Sequence, residues 1–482
     1  MNPGPALVCT AAALVAFAGS FVRWRLLFGM GETPPAPVPP AGLRVAAVTT
    51  FVPSDEPVTM LERTLAALAA LDYPHDTWVL DEGDDPEVKR LCARLGVLHF
   101  SRRHLAQYQT PAGPFESGTK HGNFNAWLDS TGFDRYDIIS AFDPDHVPAK
   151  NFISTALGYF NDPKVGYVQF PQAYYNTGAS IVARGAHEES RGFYAVVQRV
   201  NHAFGSPTII GSHNTHRVAA LRDVGGLAAH YADDLLITLR YQARGWRGVY
   251  VPRILARGLA PVDWRGYLRQ QFRWARSLLD LKLRVLPRIA AGWPLRRRLF
   301  NFIQGLTYFQ DGLAGLAAAI LLPTMLVTGY GQDAVARILP DLAAVLAVLA
   351  VTDLYPQRFF LDRLNGAGFH WRAAVVRFAK WPYSLAALWD VIRNRRSSFM
   401  LTQKTVASGG FLFWPHLAIA FVIGAAWLAG VALGRIRSVP IQALAGAAIA
   451  ACLALALSGL RGSPPPYDSA LQPGPRPRLT VR

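Results

Sequence analysis

Only three cysteines occur in 482 residues, Cys9, Cys92 and Cys452, and two of them sit inside long apolar runs. That placement supports neither a disulfide framework nor a cysteine metal knuckle. Charged residues are also scarce, 17% against 51% hydrophobic, too few for an ordinary soluble enzyme. No Gly-x-Gly-x-x-Gly follows the first candidate strand, which disfavours a standard dinucleotide fold, and no internal repeat is visible. Acidic residues are outnumbered, leaving a net charge of +17. The basic residues cluster beside apolar runs, where they would meet anionic headgroups, so no nucleic-acid partner is expected.

The apolar runs are unevenly placed. Ala6 to Val22 is almost wholly apolar and is followed by Arg23 and Arg25, with no basic residue before it. Ala16-Phe17-Ala18 mimics a signal-peptidase site, but the charge order fits an anchor whose carboxyl side is cytoplasmic. Beyond residue 300 come Gly312–Tyr330, Leu342–Thr352, Phe411–Leu433 and Val439–Leu460. The first, third and fourth approach the ~20 residues that cross a bilayer. Leu342–Thr352 is short, bounded by Asp341 and Asp353, and also fits a buried core helix. Nine lysines and arginines run from Arg358 to Lys404, and keeping them on the cytoplasmic side requires that this run span.

Five spans follow, in a multi-pass protein of the inner or plasma membrane with its amino terminus outside and carboxyl terminus inside. Residues 1–25 form the anchor and 26–43 a Pro-rich stiff linker. Residues 44–265 form a cytoplasmic domain and 266–309 interface helices that include Arg296-Arg297-Arg298. Two spans occupy 310–356, a cytoplasmic basic loop with an interface helix 357–410, two further spans 411–460, and a disordered tail 461–482.

Between residues 44 and 265, short apolar runs alternate with helical patterns. Strands are expected at Arg44–Phe51, Thr77–Leu80, Val97–Phe100, Asp137–Phe142, Val165–Phe170, Thr208–Gly211 and Gly248–Val251, and helices at Val58–Leu71 and Pro86–Leu95. The alternation predicts an α/β domain with a doubly wound, mostly parallel sheet.

The run Ile138-Ile139-Ser140-Ala141-Phe142 ends in Asp143-Pro144-Asp145-His146. A buried strand of this kind would deliver two carboxylates to the carboxyl edge of the sheet, where α/β folds bind ligands. Hard oxygen donors there suit Mg2+ or Mn2+ bridging to phosphates, with His146 as a third ligand or a structural hydrogen-bonding group. A lone Asp-x-Asp is equally a solvated turn. Asp81 and Glu82 close the second strand and would reach a base or ribose, or form an ordinary acidic turn. Lys120, at an apparent helix start in Gly118-Thr119-Lys120-His121-Gly122-Asn123, would hold a diphosphate or simply begin a capped helix.

Together these segments resemble family 2 glycosyltransferases, in the processive, membrane-embedded cellulose-synthase-like branch. The resemblance runs from about residue 44 to 460 and rests on the order of Tyr73-Pro74, Asp81-Glu82-Gly83, Lys120-His121-Gly122-Asn123, Asp143-Pro144-Asp145-His146, Gln169-Phe170-Pro171-Gln172, Gly211-Ser212, Asp233-Asp234, Gln270-x-x-Arg273-Trp274 and Phe399-x-Leu401-Thr402-x-Lys404. It implies a GT-A-like domain that inverts configuration while moving sugar from a UDP-sugar donor to a growing glycan acceptor. By the same resemblance, Asp234 is the catalytic base and Asp143, Asp145 and His146 hold Mg2+ or Mn2+. Asp81, Glu82, Lys120, Asp143, Arg273, Phe399, Thr402 and Lys404 contact the nucleotide sugar, while Gln270, Trp274 and Asp233 face the acceptor.

The departures are specific. One amino-terminal span stands where cellulose synthases have several, which leaves a narrower channel, one shared within a homo-oligomer, or one completed by an export partner in the bilayer. About 22 residues follow the last span, too few for a cyclic-dinucleotide-binding barrel. Thr208-Ile209-Ile210-Gly211-Ser212 replaces the family's Phe-Phe-Cys-Gly-Ser, removing two aromatic faces near the acceptor. The expected product is a β-linked glucan made from UDP-glucose and exported; the alternative is a single sugar added to a lipid or glycan. A transporter whose domain only binds nucleotide sugar is a third reading, and the retained carboxylate at 234 argues against it.

Overall fold

The computed structural model describes residues 30–53, 56–359, 361–362, 368–394 and 412–460. The expected anchor, the tail and the segment carrying Phe399, Thr402 and Lys404 lie outside these residues.

A seven-stranded sheet organises the amino-terminal half. Its strands are β1 (Val45–Phe51), β2 (Asp76–Asp81), β3 (Leu98–Phe100), β4 (Ile138–Phe142), β6 (Val165–Gln169), β8 (Asn214–Arg217) and β9 (Arg247–Tyr250), in the order β3-β2-β1-β4-β8-β6-β9. The strands from β3 to β4 pair in parallel, as do β6 and β9, whereas β8 runs antiparallel to both of its neighbours. A second, three-stranded sheet joins β5 (Val147–Pro148), β10 (Ala256–Gly258) and β7 (Ala173–Tyr174). The mixed, mostly parallel sheet matches the expected fold class.

The strand sequences explain the layering. Successive side chains point to opposite faces, so β1 sends Val45 and Ala47 into a core with Leu61, Leu65, Val88 and Phe152. Its Ala46 and Val48 enter a second core with Trp78, Phe124, Trp127 and Ile237. Burial on both faces is why β1 and β4 read as continuous apolar runs. Helix α1 (Val58–Ala69) contributes Leu61, Thr64, Leu65 and Leu68 at helical spacing. Helix α2 (Pro86–Leu95) starts with Asp85 accepting from the Glu87 amide and Pro86 at its first position, and stops at Gly96 in a left-handed conformation.

One expected strand is wrong. Thr208–Gly211 is not in the sheet, because its amides bond to side chains instead of a neighbouring strand. Thr208 N donates to Gln198 Oε1 at 2.8 Å, Ile209 N to Thr238 Oγ1 at 2.9 Å and Ile210 N to Gln169 Oε1 at 3.1 Å. The strand forms three residues later as β8, whose polar side chains are buried yet satisfied. Thr215 meets Ser140 at 2.9 Å, and His216 meets Tyr241 at 3.0 Å and Asn214 at 2.9 Å.

The Pro-rich segment does not float. Its carbonyls accept from Tyr159 to Pro34 at 2.9 Å and from Asn161 to Val38 at 2.9 Å, while Thr33 donates to Tyr250 O at 2.5 Å.

The carboxyl-terminal half is helical. Helix α3 (Lys120–Trp127), α4 (Ile181–Gly192) and α5 (Asp233–Ala243) belong to the sheet domain. After them come α6 (Trp264–Asp280), α7 (Leu295–Ile303), α8 (Thr307–Thr328), α9 (Gln332–Gln357), α10 (Trp371–Ile392), α11 (Trp414–Ala432) and α12 (Val439–Leu460). Among the described residues, Tyr308–Thr328, Trp414–Ala432 and Val439–Leu460 are long and apolar enough to cross a membrane. These coincide with three of the expected spans. The fourth, Leu342–Thr352, lies inside the 26-residue α9, which is not among the three. Helix α7 carries its arginines together with half-exposed Leu299 and Phe302.

Candidate active site

Strand β4 is buried throughout, and the chain turns directly beyond it. Asp143 N donates to Ser212 Oγ at 2.9 Å and His146 N to Asp143 O at 3.1 Å, which fixes this turn at the sheet's carboxyl edge. Asp143, Asp145 and His146 place their ligand atoms within 4.8 Å of one another. His146 Nδ1 lies 3.7 Å from Asp143 Oδ2 and 3.5 Å from Asp145 Oδ1. Asp145 turns its other oxygen to the amide of Leu259 at 3.0 Å. The small sheet therefore supports the cluster from below. It does so tightly: a methyl at Gly258 would lie 2.2 Å from His146 Nε2. Two carboxylate oxygens and an imidazole nitrogen in this compass fit a divalent ion.

Lys120 opens α3, capped by Thr119, whose hydroxyl accepts from Gly122 N at 3.1 Å. Its ammonium lies 2.5 Å from Asp143 Oδ1 and 2.7 Å from Gly211 O. Burial pulls this ammonium down, but Asp143, Asp233 and Asp234 outweigh it and the net shift is upward. Gly211 has φ +78° and faces Asp234, whose Oδ2 would be 3.5 Å from a methyl there. Lys120 and Asp234 thus approach the same residue from two sides.

Asp233 and Asp234 begin α5, where the helix dipole favours anions. Asp233 Oδ1 accepts from Asp234 N at 3.0 Å and Asp234 Oδ1 from Leu235 N at 2.7 Å. Desolvation nevertheless dominates. Burial first, and the neighbouring Asp233 carboxylate second, push the Asp234 carboxyl up to about 7. Burial likewise raises Asp233, against the pull of Lys120. A carboxyl poised near neutrality can accept a proton in one step and release it afterwards.

Helix α6 supplies Gln270, Arg273 and Trp274, and is capped by Asp263 through Gly266 N at 2.7 Å. Burial lowers the Arg273 guanidinium, while Asp143, Asp233 and Asp234 oppose that shift, which places Arg273 within the field of all three carboxylates. Trp274 remains 37% exposed, an open apolar face on a helix whose other side, Tyr267, Leu268, Gln271 and Ala275, is buried.

Asp81 and Glu82 are tied into the scaffold. Asp81 accepts from Gly83 N at 2.9 Å, Asp85 N at 2.6 Å and His99 at 3.1 Å. Glu82 forms a two-oxygen pair with buried Arg102, at 2.8 and 3.0 Å, and accepts from Gly118 N at 3.1 Å. Glu82 thereby positions the loop that precedes Lys120, directly at Gly118 and through Arg102 at Phe115 O and Glu116 O, while Asp81 fixes the turn after β2.

His230 carried no signal in the sequence. Its Nδ1 accepts from Ala232 N at 2.9 Å, so Nε2 is the donor to Asp280 at 3.0 Å. It joins the turn bearing Asp233 and Asp234 to the far end of α6. Gln169 is similarly placed: its amide donates to Ser212 O at 3.0 Å and His213 O at 3.1 Å, which shapes the loop around Gly211.

Residues 138–355 match the model of glycosyl transferase family group 2. The cellulose synthase catalytic subunit (UDP-forming) of Xanthomonas axonopodis pv. citri (strain 306) is 28% identical over 289 residues, 58% of this chain and 38% of that protein. The corresponding subunit of Komagataeibacter sucrofermentans is 26% identical over 386 residues, 78% of this chain and 46% of that protein. The chain thus spans less than half the length of these curated relatives. A mannosyltransferase of Pyrobaculum calidifontis, PcManGT, solved with GDP-Man and Mn2+, shares the fold with a TM-score of 0.53 at 18% identity, over 81% of this chain and 99% of that one.

Proposed function

We propose that this chain, whose residues 138–355 match glycosyl transferase family group 2, works as a cellulose-synthase-like enzyme that polymerises a β-linked glucan from UDP-glucose and exports it. The observation that carries the reading is the convergence of a three-residue metal cluster, Lys120 and Asp234 on one loop, Gly211–Ser212. Glycosyl transfer with inversion needs those parts together. Asp143, Asp145 and His146 would hold Mg2+ or Mn2+, which offsets charge on a departing diphosphate. Lys120 and Arg273 add cationic support on the same side. Asp234 takes the proton from the attacking hydroxyl as oxygen bonds to the anomeric carbon and the bond to the diphosphate breaks. Gln270 and Trp274 receive the terminal sugar, by hydrogen bonds and by an apolar face, and Asp233 faces the same acceptor in this reading. Asp81 and Glu82 serve the nucleotide sugar on the donor side, where Glu82 also fixes the loop before Lys120. Phe399, Thr402 and Lys404 complete the donor pocket in this reading.

Residues 44–265 form the cytoplasmic catalytic domain, 266–309 the interface helices and 310–460 the membrane region around a cytoplasmic loop. A second reading, one sugar added to a lipid or glycan, draws support from the acceptor-side segment Thr208-Ile209-Ile210, which offers no aromatic surface.

The test is product size. Protein in lipid discs, supplied with UDP-[14C]glucose and Mg2+ or Mn2+, should yield an insoluble polymer digested by a β-glucanase. A single labelled sugar on a lipid would replace the first reading by the second. No label transfer from UDP-glucose, UDP-N-acetylglucosamine or GDP-mannose would overturn both.

A further inference from the structure

Outside the reacting centre, an ion pair of half-buried Glu189 with buried Lys380 joins four helices. Glu189, on α4, accepts from Tyr267 OH of α6 through Oε2 at 2.6 Å. Its Oε1 lies 2.5 Å from Lys380 Nζ of α10 and 3.7 Å from Arg377 Nε on the same helix. Lys380 donates in turn to Gln271 Oε1 of α6 at 3.0 Å. The ammonium also stands 4.7 Å from the ring centre of Tyr308, at the start of membrane helix α8. Tyr267, Gln271 and Lys380 are all buried, Lys380 to 5% exposure. This is costly placement for an ion pair, and hydrophobic residues would hold the four helices together at least as well.

What a carboxylate does here that a hydrophobic residue cannot is fix an angle. Tyr267 and Gln271 are successive turns of one face of α6. Gln270 and Trp274 lie on the adjoining face, and Arg273, two positions from Gln271, points about 160° away. Clamping Tyr267 and Gln271 from α4 and α10 therefore sets the direction of all three functional side chains. We propose that Glu189 is a positioning residue for the acceptor site, holding the rotation of α6 through Tyr267 and the Lys380–Gln271 bond. Both oxygens of Glu189 must accept at once. A glutamine of the same shape has one acceptor oxygen, and its NH2 would face either the Lys380 ammonium or the tyrosine hydroxyl.

The inference rests on the proposed glycosyl transfer, so its test has two arms. Full-length Glu189→Gln and Tyr267→Phe proteins in lipid discs are compared with wild type for UDP binding in Mn2+, for transfer against oligosaccharide acceptor concentration, and for amide exchange. Tyr267→Phe keeps the packed ring and loses only the hydroxyl, so it stays informative if Glu189→Gln folds poorly. The half-saturating acceptor concentration should rise roughly tenfold in Glu189→Gln and about threefold in Tyr267→Phe, in keeping with loss of a charge-assisted and a single hydrogen bond. UDP affinity should fall clearly less than acceptor affinity, since of the donor-side groups only Arg273 rides on α6, while Lys120, Asp143, Asp145 and His146 are held by other elements. Exchange should quicken over residues 264–280 and stay unchanged over β1. Unchanged acceptor dependence and exchange in both variants would overturn the proposal, as would UDP affinity falling in step with acceptor affinity. If wild type transfers no sugar while exchange over 264–280 still quickens, the functional reading fails and the clamp stands.

Discussion

Replacing Asp234 by asparagine changes one oxygen for nitrogen, keeps the bond to Leu235 N and removes the proton acceptor. General-base assistance is typically worth ~10²–10⁴-fold, so UDP release from UDP-glucose should fall by about that factor. The pH profile gives a sharper test. With its carboxyl at about 7, wild-type kcat/KM should climb about tenfold per pH unit below 7 and level off above it. Asp234→Asn should lose that acid limb as well as its rate. Stability should move the other way. The folded protein binds this proton more tightly than the unfolded chain does, so ionisation at 234 costs stability as pH rises from about 4 to 7. Removing the charge relieves that cost, and the asparagine variant should melt no lower than wild type at pH 8. The assay is coupled UDP detection in lipid discs between pH 5.5 and 9, with thermal melts alongside. An unaltered rate, or an acid limb that survives the substitution, would remove Asp234 from its role.

Asp143→Asn and Asp145→Asn should each weaken Mn2+ affinity by at least ~10-fold, read by titration calorimetry, and chelation should stop UDP release in wild type. Gly258→Ala should drive a methyl into His146, lowering stability by about 1–3 kcal/mol and weakening metal binding with it; unchanged melting and metal affinity would contradict the packing described. Trp274→Ala should raise the acceptor requirement about tenfold, since stacking faces contribute ~1 kcal/mol or more, and should shorten products while leaving UDP binding intact.

The legible parts of this fold are those in which one residue type does one thing. β1 and β4 could be read because burial on both faces demands uninterrupted apolar residues. Strand β8 could not, because Asn214, Thr215 and His216 are buried through hydrogen bonds to Ser140, Tyr241 and one another. No local pattern encodes such partners. The β-branched Thr208-Ile209-Ile210 misled for the converse reason: its side chains suit a strand, but Gln198, Thr238 and Gln169 take its amides. Asp143, Lys120 and Asp234 stood out through motif spacing, and the structure brings them together. Glu189, Lys380 and His230 did not, since their partners lie dozens to nearly two hundred positions away. The three apolar spans were plain from length alone, while α9 extends well beyond its apolar centre at both ends.

The Pro-rich segment has a mechanical consequence. A tether that hung free would let the sheet domain swing, with reach set by chain length. Here Gly31, Thr33, Pro34 and Val38 are each bonded to the domain's surface, the first through its amide to Arg199 O at 3.1 Å. The segment behaves as a strut glued along its length, and force applied at Met30 is delivered at Arg199 and Tyr250. Insertion of residues between 34 and 38 would add a bulge without adding slack, whereas severing the side-chain bonds would turn the strut into a rope.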